Sequence, residues 1–204
     1  MLFLHTVEPR TLGLLNTLMK TPAFKDFNLA GGTALALQIG HRMSYDLDLF
    51  GNRPFERQEI LDILKGVGQI REVRFSKNIF ILEIDNIKVD FVNYSYPLLE
   101  EISSEAAYRL LSLQDIAAMK ISAITGRGRK RDFFDLYFLM QRFPLEEMLG
   151  YYQQKYADGN ELMAVRSLVY FGDADDEEDL NLFQKVDWST VKNTIEEAVR
   201  KIYR

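Results

Sequence analysis

The sequence predicts an α/β (α+β) protein in which a small mixed sheet with flanking helices is followed by a helical C-terminal lobe. Three observations support this fold class. The stretch from Phe27 to Phe50 reads as a strand, a glycine turn, a helix and a second strand. Two β-rich runs flank the pair Asp85-Asn86, which predicts an antiparallel hairpin with a tight turn. After Glu105 the apolar residues recur at helical spacing, which places a soft domain boundary between residues 1–100 and 101–204.

Periodicity predicts the remaining elements in chain order. Apolar positions at a spacing of 3.6 residues predict amphipathic helices, and short β-branched or aromatic runs predict strands. The helices are expected over residues 11–20, 56–65, 111–125, 131–141, 145–156, 161–170 and 188–203, and further strands over 70–75, 79–84 and 87–92.

The composition excludes several classes of protein. Hydrophobic residues make up 47% and charged residues 27% of the 204 positions, as in an ordinary globular chain. The absence of cysteine excludes disulfides, zinc–thiolate sites and thiol nucleophiles, and it is compatible with a reducing cytoplasm. No apolar stretch approaches the ~20 residues that a bilayer crossing needs, and the first residues do not resemble a signal peptide. We therefore expect a cytoplasmic protein with no membrane association.

The net charge of −5 argues against a broad non-specific nucleic-acid surface, although it leaves room for a local basic patch.

Two carboxylates on the second strand form a candidate metal site. Asp46 and Asp48 are two residues apart, so they point to the same face of a strand while Leu47 and Leu49 point to the other. Such a pair repels itself unless a cation lies between the two groups. Oxygen ligands of this kind suit a hard divalent metal such as Mg²⁺. The alternative is two surface acids at the edge of a strand.

A glycine pair precedes the first helix of this stretch. Gly31 and Gly32 allow a tight turn and a close backbone approach to a ligand. The helix that follows presents unpaired N–H groups and a partial positive charge, which suit a phosphate. Thr33 either caps this helix or donates its hydroxyl to a phosphate oxygen. An anion cradle beside a carboxylate pair indicates a site for a metal-bound nucleotide.

The loop between this helix and the carboxylate strand contains His41 and Arg42. Arg42 is a candidate phosphate ligand and His41 a candidate for a base contact or a proton acceptor. The alternative is a solvated loop without function.

A third acid lies in the predicted hairpin. Val89 and Phe91 form the packed face of the second hairpin strand, so Lys88 and Asp90 occupy the other face. If this face also carries Asp46 and Asp48, three carboxylates converge. Because aspartate is uncommon in strand interiors, Asp90 is a candidate functional residue, and the alternative is a solvent-exposed strand acid.

Lys120 is the main candidate in the C-terminal half. It lies in the middle of the apolar stripe of its helix and therefore needs an anionic partner. It serves either in a structural ion pair or in binding nucleotide phosphates. The next helix begins near Asp132, and the short connection makes a Lys120–Asp132 contact feasible. Asp115 falls on the opposite side of the Lys120 helix, where we expect it to be solvated.

Two charged segments complete the set of candidates. The basic turn from Arg127 to Arg131 is a docking site for an RNA acceptor, a solvated loop or a paired structural cluster. The acidic run from Asp173 to Asp179 is expected to be a mobile loop that keeps the protein soluble, with metal capture or nucleic-acid mimicry as the alternatives.

Two blocks of the sequence resemble nucleotidyltransferase-fold toxins of the AbiEii/AbiGii type. The first is GGTALALQIGHRMSYDLDLF, in which Thr33 stands where nucleotidyltransferases generally have serine. The second is DIAAMKISAITGRGRKRDFFDLYFL, which contains a lysine followed by Arg-Asp-x-x-Asp. With the strand of Asp90, which resembles the third carboxylate of that site, the resemblance covers roughly residues 27 to 140.

The resemblance implies a nucleotidyltransferase with its active cleft between the two lobes. In that case Asp46 and Asp48 would hold two Mg²⁺ ions, and Asp90 would share the ion that activates the acceptor hydroxyl. The outer phosphates of a nucleoside triphosphate would bind to Gly31, Gly32 and Thr33, with Arg42 and Lys120 as further phosphate ligands. Asp132 would orient Lys120 or act as a base.

The same resemblance implies a bacterial toxin of a toxin–antitoxin or abortive-infection pair, with an antitoxin partner. Some relatives modify the acceptor end of tRNA, so tRNA is an expected acceptor near Arg127–Arg131. Nothing in the residues themselves distinguishes an RNA acceptor from a protein acceptor.

Three other functions are weighed against this one. A nucleotide-binding regulator would keep the fold without turnover, and a phosphotransferase acting on protein would transfer the γ-phosphate. A haloacid-dehalogenase phosphatase also uses Asp-x-Asp, but there a small turn typically follows the second aspartate. Leu49 and Phe50 do not fit that pattern.

Overall fold

A computed structural model describes residues 1–105 and 107–202 of the chain. These residues form two compact units. The first consists of residues 1–96 and 101–111, and the second consists of residues 97–100 together with the residues from 112 onward. Residues 101–111, which follow the predicted boundary at residue 100, therefore pack with the first unit.

The first unit is built on a mixed sheet of seven strands in the order β3-β4-β5-β2-β1-β7-β6. Strand β2 lies near the middle, antiparallel to β1 and parallel to β5. The strands are β1 (Asn28–Ala30), β2 (Leu47–Gly51), β3 (Ile70–Phe75), β4 (Ile79–Ile84), β5 (Ile87–Asn93), β6 (Ser103–Glu105) and β7 (Tyr108–Leu110). The mixed α/β fold class predicted from the sequence is confirmed.

One face of this sheet is the core of the first unit. Leu47 and Leu49 of β2 and Val89 and Phe91 of β5 are almost fully buried, because each projects to the same side as its neighbour across the pair. Helices accompany the sheet, with bounds α1 (Pro9–Lys20), α2 (Gly31–Ile39) and α3 (Arg57–Leu64). Alternation leaves the residues between these apolar positions on the opposite face, where the candidate carboxylates lie.

The predicted hairpin is confirmed. Strands β4 and β5 pair antiparallel, with Ile84 opposite Ile87. Asp85 and Asn86 have positive φ angles of 51° and 66°, the conformation that a two-residue hairpin turn requires and that Asx residues tolerate best.

The edge strand β3 contains an irregularity. Glu72 pairs with Leu82 and Arg74 with Ile81, so two steps along β3 match one step along β4. Such a bulge bends the strand and turns the side chains that follow it toward the other face. Arg74 therefore lies in the same cross-strand row as Ile81 and Asp90.

The expectation of helix from Glu105 onward is wrong for Tyr108–Leu110, which form β7. This strand pairs parallel with β1 through Leu29 and Leu110. The Arg109 guanidinium donates to the carbonyls of Met19 and Phe24, each at 3.0 Å, and to that of Phe27 at 3.2 Å. Three residues are too few for an alternating pattern to be recognised, so the strand is specified by its tertiary partners.

The second unit is helical, as predicted. Its helices are α4 (Leu113–Arg127), α5 (Lys130–Met140), α6 (Leu145–Lys155), α7 (Glu161–Leu168), α8 (Gly172–Asp175) and α9 (Trp188–Ile202). The predicted end of the last helix at Tyr203 lies outside the described residues. No helix in the described ranges has both the length and the apolarity needed to cross a bilayer.

Asp115 corrects one expectation in this unit, because it is fully buried and not solvated. Its backbone N–H donates to the hydroxyl of Ser112, which caps α4, and that hydroxyl lies 2.6 Å from the Asp115 carboxylate. The side chain also forms an ion pair of 2.6 Å with Lys155. Helical periodicity places Asp115 opposite the Lys120 stripe, but α4 is enclosed on both sides, so this position is also interior.

The acidic run is more ordered than expected. Asp175 ends the short helix α8 and accepts hydrogen bonds from the Trp188 indole at 2.6 Å and from Lys192 at 2.8 Å. Glu177 accepts a hydrogen bond of 3.0 Å from the backbone N–H of Lys130. Asp175 and Glu177 therefore have defined partners in the helical unit, while Asp173, Asp175 and Asp176 are exposed, as expected for a solvated segment.

Candidate active site

Asp48 and Asp90 are direct neighbours across the parallel pair of β2 and β5. Their Cα atoms are register partners, and paired strands lie about 4.8 Å apart. Since Leu47, Leu49, Val89 and Phe91 project into the core, both carboxylates project from the opposite face. The structure thus brings together two of the three predicted carboxylates on one face of the sheet.

Gly31 explains how Asp48 is accommodated. The residue has a φ of +66°, in the left-handed region that favours glycine. A Cβ atom at Gly31 would lie only 3.0 Å from Cγ of Asp48 and would collide with its carboxylate oxygen. The start of helix α2 and the Asp48 carboxylate therefore lie in direct contact, which requires a residue without a side chain at position 31.

Gly32 is packed in a similar way against Arg42. A Cβ at Gly32 would lie 3.4 Å from Cζ of Arg42. Arg42 is only 6% exposed, and its Nη1 donates to the Met43 carbonyl at 2.8 Å. His41 is completely buried. The alternative of a solvated loop is therefore wrong for both residues, and a positive charge lies beside the glycine turn.

Thr33 holds the segment that leads into β2. Its hydroxyl lies 2.8 Å from the Ser44 hydroxyl and donates to the backbone carbonyl of Asp46. The side chain is 1% exposed and does not cap α2. Thr33 thus fixes the backbone of Asp46, which immediately precedes β2 and is half-buried.

The Asp90 carboxylate has one satisfied and one unsatisfied oxygen. Oδ2 accepts a hydrogen bond of 2.7 Å from the ammonium group of Lys88 on the same face of β5. Oδ1 is buried and has no hydrogen-bond partner among the residues described. Leaving a buried charged oxygen unpaired is unfavourable, so this oxygen is suited to accept a bond from a bound cation.

The donor set at this face fits a hard divalent cation. Two adjacent carboxylates, one with a buried unpaired oxygen, match the oxygen ligation that Mg²⁺ prefers. Within residues 1–105 and 107–202, no group of three acidic, histidine or cysteine side chains is arranged to enclose one metal ion. The predicted convergence of Asp46 with Asp48 and Asp90 on a metal therefore stays a prediction.

Lys120 in the second unit lies between two aspartates. Its ammonium group is 2.8 Å from Asp132 and 2.6 Å from Asp135, and both acids are fully buried. Arg127 adds a second cation, 3.1 Å from Asp132. The predicted Lys120–Asp132 contact is present, and Asp135 is a partner that the sequence analysis did not assign. The i, i+3 spacing of the two aspartates on one helix was the available signal.

These cations determine the ionisation of Asp132. Burial alone would raise the pKa of Asp132, but the charges and hydrogen bonds of Lys120 and Arg127 outweigh it and lower that pKa. A carboxylate held ionised in this way is a weak proton acceptor. The arrangement therefore favours the orienting role predicted for Asp132 over the role of a base.

The basic turn is partly a paired structural cluster. Arg127 pairs with Asp132, and Lys130 is 4% exposed and donates to the backbone carbonyl of Glu177. Lys130 also lies 5.8 Å above the Trp188 ring. Arg129 remains exposed. Lys130 is thus committed to internal contacts, whereas Arg127 and Arg129 keep exposed side chains.

Sequence reasoning assigned no role to three aromatic residues that follow the carboxylates along the chain. Phe50 lies two positions after Asp48, and its ring is 5.0 Å from that of Tyr94, which in turn is 5.1 Å from Tyr96. The signal was present in the sequence, because Asp90, Val92, Tyr94 and Tyr96 recur at every second position.

Comparison with known proteins points to one family. Residues 13–202 match the model described as "Nucleotidyl transferase AbiEii toxin, Type IV TA system". A protein of Aquifex aeolicus (strain VF5) is 38% identical over 184 residues, which cover 86% of this chain and 87% of that relative.

Two solved structures share the fold. One is a candidate nucleotidyltransferase from H. pylori, with a TM-score of 0.61, 18% identity and coverage of 96% of both chains. The other is the antibiotic-resistance factor ANT(2'')-Ia, with a TM-score of 0.57 and 16% identity, covering 73% of this chain and 94% of that one.

Proposed function

The chain belongs to the AbiEii family of nucleotidyltransferase toxins, and from this premise we propose that it transfers a nucleoside monophosphate from a nucleoside triphosphate to an acceptor hydroxyl in an Mg²⁺-dependent reaction. The observation that carries the proposal is the pairing of Asp48 with Asp90 on one face of the sheet, with Asp48 directly against Gly31. A carboxylate pair of which one member, Asp48, contacts a helix N-terminus suits a nucleotide whose phosphates and metal bind side by side.

The glycine turn would bind the leaving end of the nucleotide. The first N–H groups of α2, from Gly31 onward, have no partner within the helix and carry a partial positive charge. Arg42 places a guanidinium beside Gly32 and adds to that charge. These groups would orient the outer phosphates, with the α-phosphate close to Asp48.

The carboxylates would hold the metal. Asp46, Asp48 and Asp90 are the proposed ligands, and Thr33 keeps the Asp46 backbone in place through its hydroxyl. Bound Mg²⁺ would lower the pKa of the acceptor hydroxyl and neutralise charge on the departing pyrophosphate. Lys88 pairs with Asp90, so it would offset the repulsion between the two carboxylates before the nucleotide arrives.

Lys120 and Asp132 are proposed as the contribution of the helical unit. Asp132 and Asp135 fix the Lys120 ammonium between them in a buried ion-pair cluster, and its contact with nucleotide phosphates is proposed from the family pattern alone. The wider biological role that we propose is that of a toxin in a toxin–antitoxin pair, with tRNA as the expected acceptor. Induced expression should then arrest bacterial growth, and the variant Asp48→Asn should not.

Label transfer tests the activity directly. Each nucleoside triphosphate, labelled at the α-phosphate, is incubated with the protein, total RNA and lysate protein, and both macromolecular fractions are analysed. We expect one fraction to become labelled with Mg²⁺ present. Asp48→Asn should abolish the labelling, while Asp62→Asn, a change at an exposed acid on α3, should leave it unchanged.

Two further readouts separate the alternatives. Label from the γ-phosphate alone would identify a phosphotransferase, and nucleotide binding without any transfer would identify a regulator. Asp48→Asn should melt at a similar or higher temperature, because it removes carboxylate repulsion. Millimolar Mg²⁺ should raise the melting temperature of the parent protein more than that of Asp48→Asn. Normal label transfer by Asp48→Asn would contradict the metal assignment.

A further inference from the structure

We propose that Phe50, Tyr94 and Tyr96, which we call the aromatic row, bind the nucleobases of a single-stranded nucleic-acid acceptor next to its reactive hydroxyl. This inference rests on the proposed function, because it assigns residues that hold the acceptor at the same site. It is carried by the position of the aromatic row relative to the carboxylates and the glycine turn.

The aromatic row continues the carboxylate face of the sheet. Phe50 follows Asp48 by two residues on β2, a distance of about 7 Å along the strand, and therefore projects to the same side. Val92 is its partner across the pair with β5, and Tyr94 lies two residues further on. The ring centroids are 5.0 Å apart from Phe50 to Tyr94 and 5.1 Å apart from Tyr94 to Tyr96.

Exposure increases along the aromatic row. Phe50 and Tyr94 are half-buried, whereas Tyr96 is 47% exposed. The inner rings are therefore held by their neighbours and support the outer ring, which presents much of its surface to solvent. An aromatic ring held in this way is a platform on which a nucleobase stacks, with little dependence on sequence.

The strand register puts the aromatic row on the acceptor side of the reaction. Strand β1 runs antiparallel to β2, with Ala30 opposite Asp48 and Asn28 opposite Phe50. Gly31, which follows Ala30, therefore lies near Asp48, and Phe50 lies further from Gly31 along β2. In phosphoryl-group transfer the attacking and leaving oxygens are roughly in line. If the glycine turn holds the departing pyrophosphate, the acceptor must approach from the side of the aromatic row.

A cation on the same face suits the acceptor backbone. The bulge in β3 places Arg74 in one cross-strand row with Ile81, Asp90 and Asp48. Arg74 is exposed, and its backbone lies about 14 Å from that of Asp48, three strand spacings away. Aromatic platforms with a nearby cation are the usual elements of single-strand recognition, in which rings bind bases and cations bind phosphates.

Binding to a labelled oligonucleotide tests the inference without catalysis. The probe is a short fluorescein-labelled single-stranded RNA of mixed sequence with a free 3′ hydroxyl, measured by anisotropy with Mg²⁺ and no nucleotide. Tyr96→Ala should weaken binding by about 5-fold to 150-fold, the loss expected for one base–aromatic stack. Tyr94→Leu should weaken it at least as much. Tyr170→Ala changes a ring that is 60% exposed in the helical unit and should leave binding unchanged.

A second probe isolates the contribution of the bases. It has the same length and backbone but lacks the nucleobases at its 3′ end. The parent protein should bind this probe more weakly than the complete one, by the same factor by which Tyr96→Ala weakens binding of the complete probe. The Tyr96→Ala variant should bind the two probes with equal affinity. DNA of the same sequence distinguishes the two kinds of nucleic acid. Tighter binding of RNA than of DNA would identify RNA as the acceptor, and equal binding would support base stacking with either one.

Three results would overturn the proposal: no binding of either oligonucleotide by the parent protein, equal binding by Tyr96→Ala, or equal binding of the probe without bases. The first would favour a protein or small-molecule acceptor. Base-dependent binding without nucleotidyl transfer would refute only the proposed activity. Transfer without base-dependent binding would refute only the role of the aromatic row. Because Tyr96 is exposed, its variant tests the idea even if Tyr94→Leu does not fold.

Discussion

Lys155 Nζ lies 2.6 Å from Asp115 Oδ1, and neither side chain is accessible to solvent. The same carboxylate accepts N–H groups from Leu99 at 3.0 Å and Glu100 at 3.4 Å, while Lys155 donates to the Pro97 carbonyl at 2.7 Å. This buried pair therefore ties the short segment 97–100 to helices α4 and α6 of the same unit.

Removing one member of this pair should be strongly destabilising. Lys155→Met leaves Asp115 buried without its counter-charge, and such changes typically cost about 3–5 kcal/mol. Urea unfolding should register this loss. Lys65→Met, which removes an exposed lysine paired with Asp62, is the matched control and should leave the unfolding midpoint unchanged. Equal midpoints for the two variants would mean that the buried pair does not stabilise the unit.

Gly31→Ala should destabilise the protein and impair the site together. The residue has a φ of +66°, where a side chain costs about 1–2 kcal/mol, and the new Cβ would displace the Asp48 carboxylate. Gly13→Ala is the control, because a Cβ there meets no atom within 4 Å and alanine favours helix α1 by about 0.5–1 kcal/mol. Thermal unfolding should move in opposite directions for the two variants, and only Gly31→Ala should lose nucleotidyl transfer. A fully active Gly31→Ala protein would contradict the close approach.

The lowered pKa of Asp132 predicts a pH dependence of stability. When the pH falls below 3.8, the ordinary pKa of an aspartate, Asp132 takes up a proton in the unfolded chain but stays ionised in the folded protein. The stabilisation from Asp132 is thus complete above this value and is lost as the pH falls through the lowered folded-state pKa. Asp132→Asn should therefore reduce the slope of unfolding free energy against pH in the acid range, measured by urea titrations. Asp158→Asn, at an exposed acid, should keep the parent slope.

Local patterns predicted the elements whose structure is determined by residues close together in the sequence. The Asp85-Asn86 turn, the alternating residues around Asp48 and Asp90, and the long amphipathic helices all lie where periodicity places them. In each case the chain carries several consistent signals within a few residues, so that little tertiary information is required.

Elements that depend on distant partners were not predicted. Strand β7 is specified by its pairing with β1 and by the contacts of Arg109 with three carbonyls that are more than eighty positions away. The burial of Asp115 depends on Lys155, forty positions further along the chain. No short stretch of sequence contains these partners. Periodicity therefore predicted helix for the residues of β7 and solvent exposure for Asp115.

The candidate site divides in the same way. Alternation placed Asp48 and Asp90 on one face, but it did not reveal that Gly31 touches the first or that Lys88 pairs with the second. Thr33 illustrates the limit most clearly. Its position in the motif predicted either a helix cap or a phosphate contact, whereas the fold directs its hydroxyl to Ser44 and the Asp46 backbone.

The bulge in β3 also affects how molecules meet at high concentration. A straight outer strand exposes a row of unpaired backbone groups to which another chain can add, and this is a route to fibrous aggregates. In β3 this row is interrupted around Val73. The arginines at positions 71 and 74 also repel those of a second molecule when two such edge strands approach each other. The bulged edge strand β3 thus hinders the addition of a strand from another molecule on that side of the sheet.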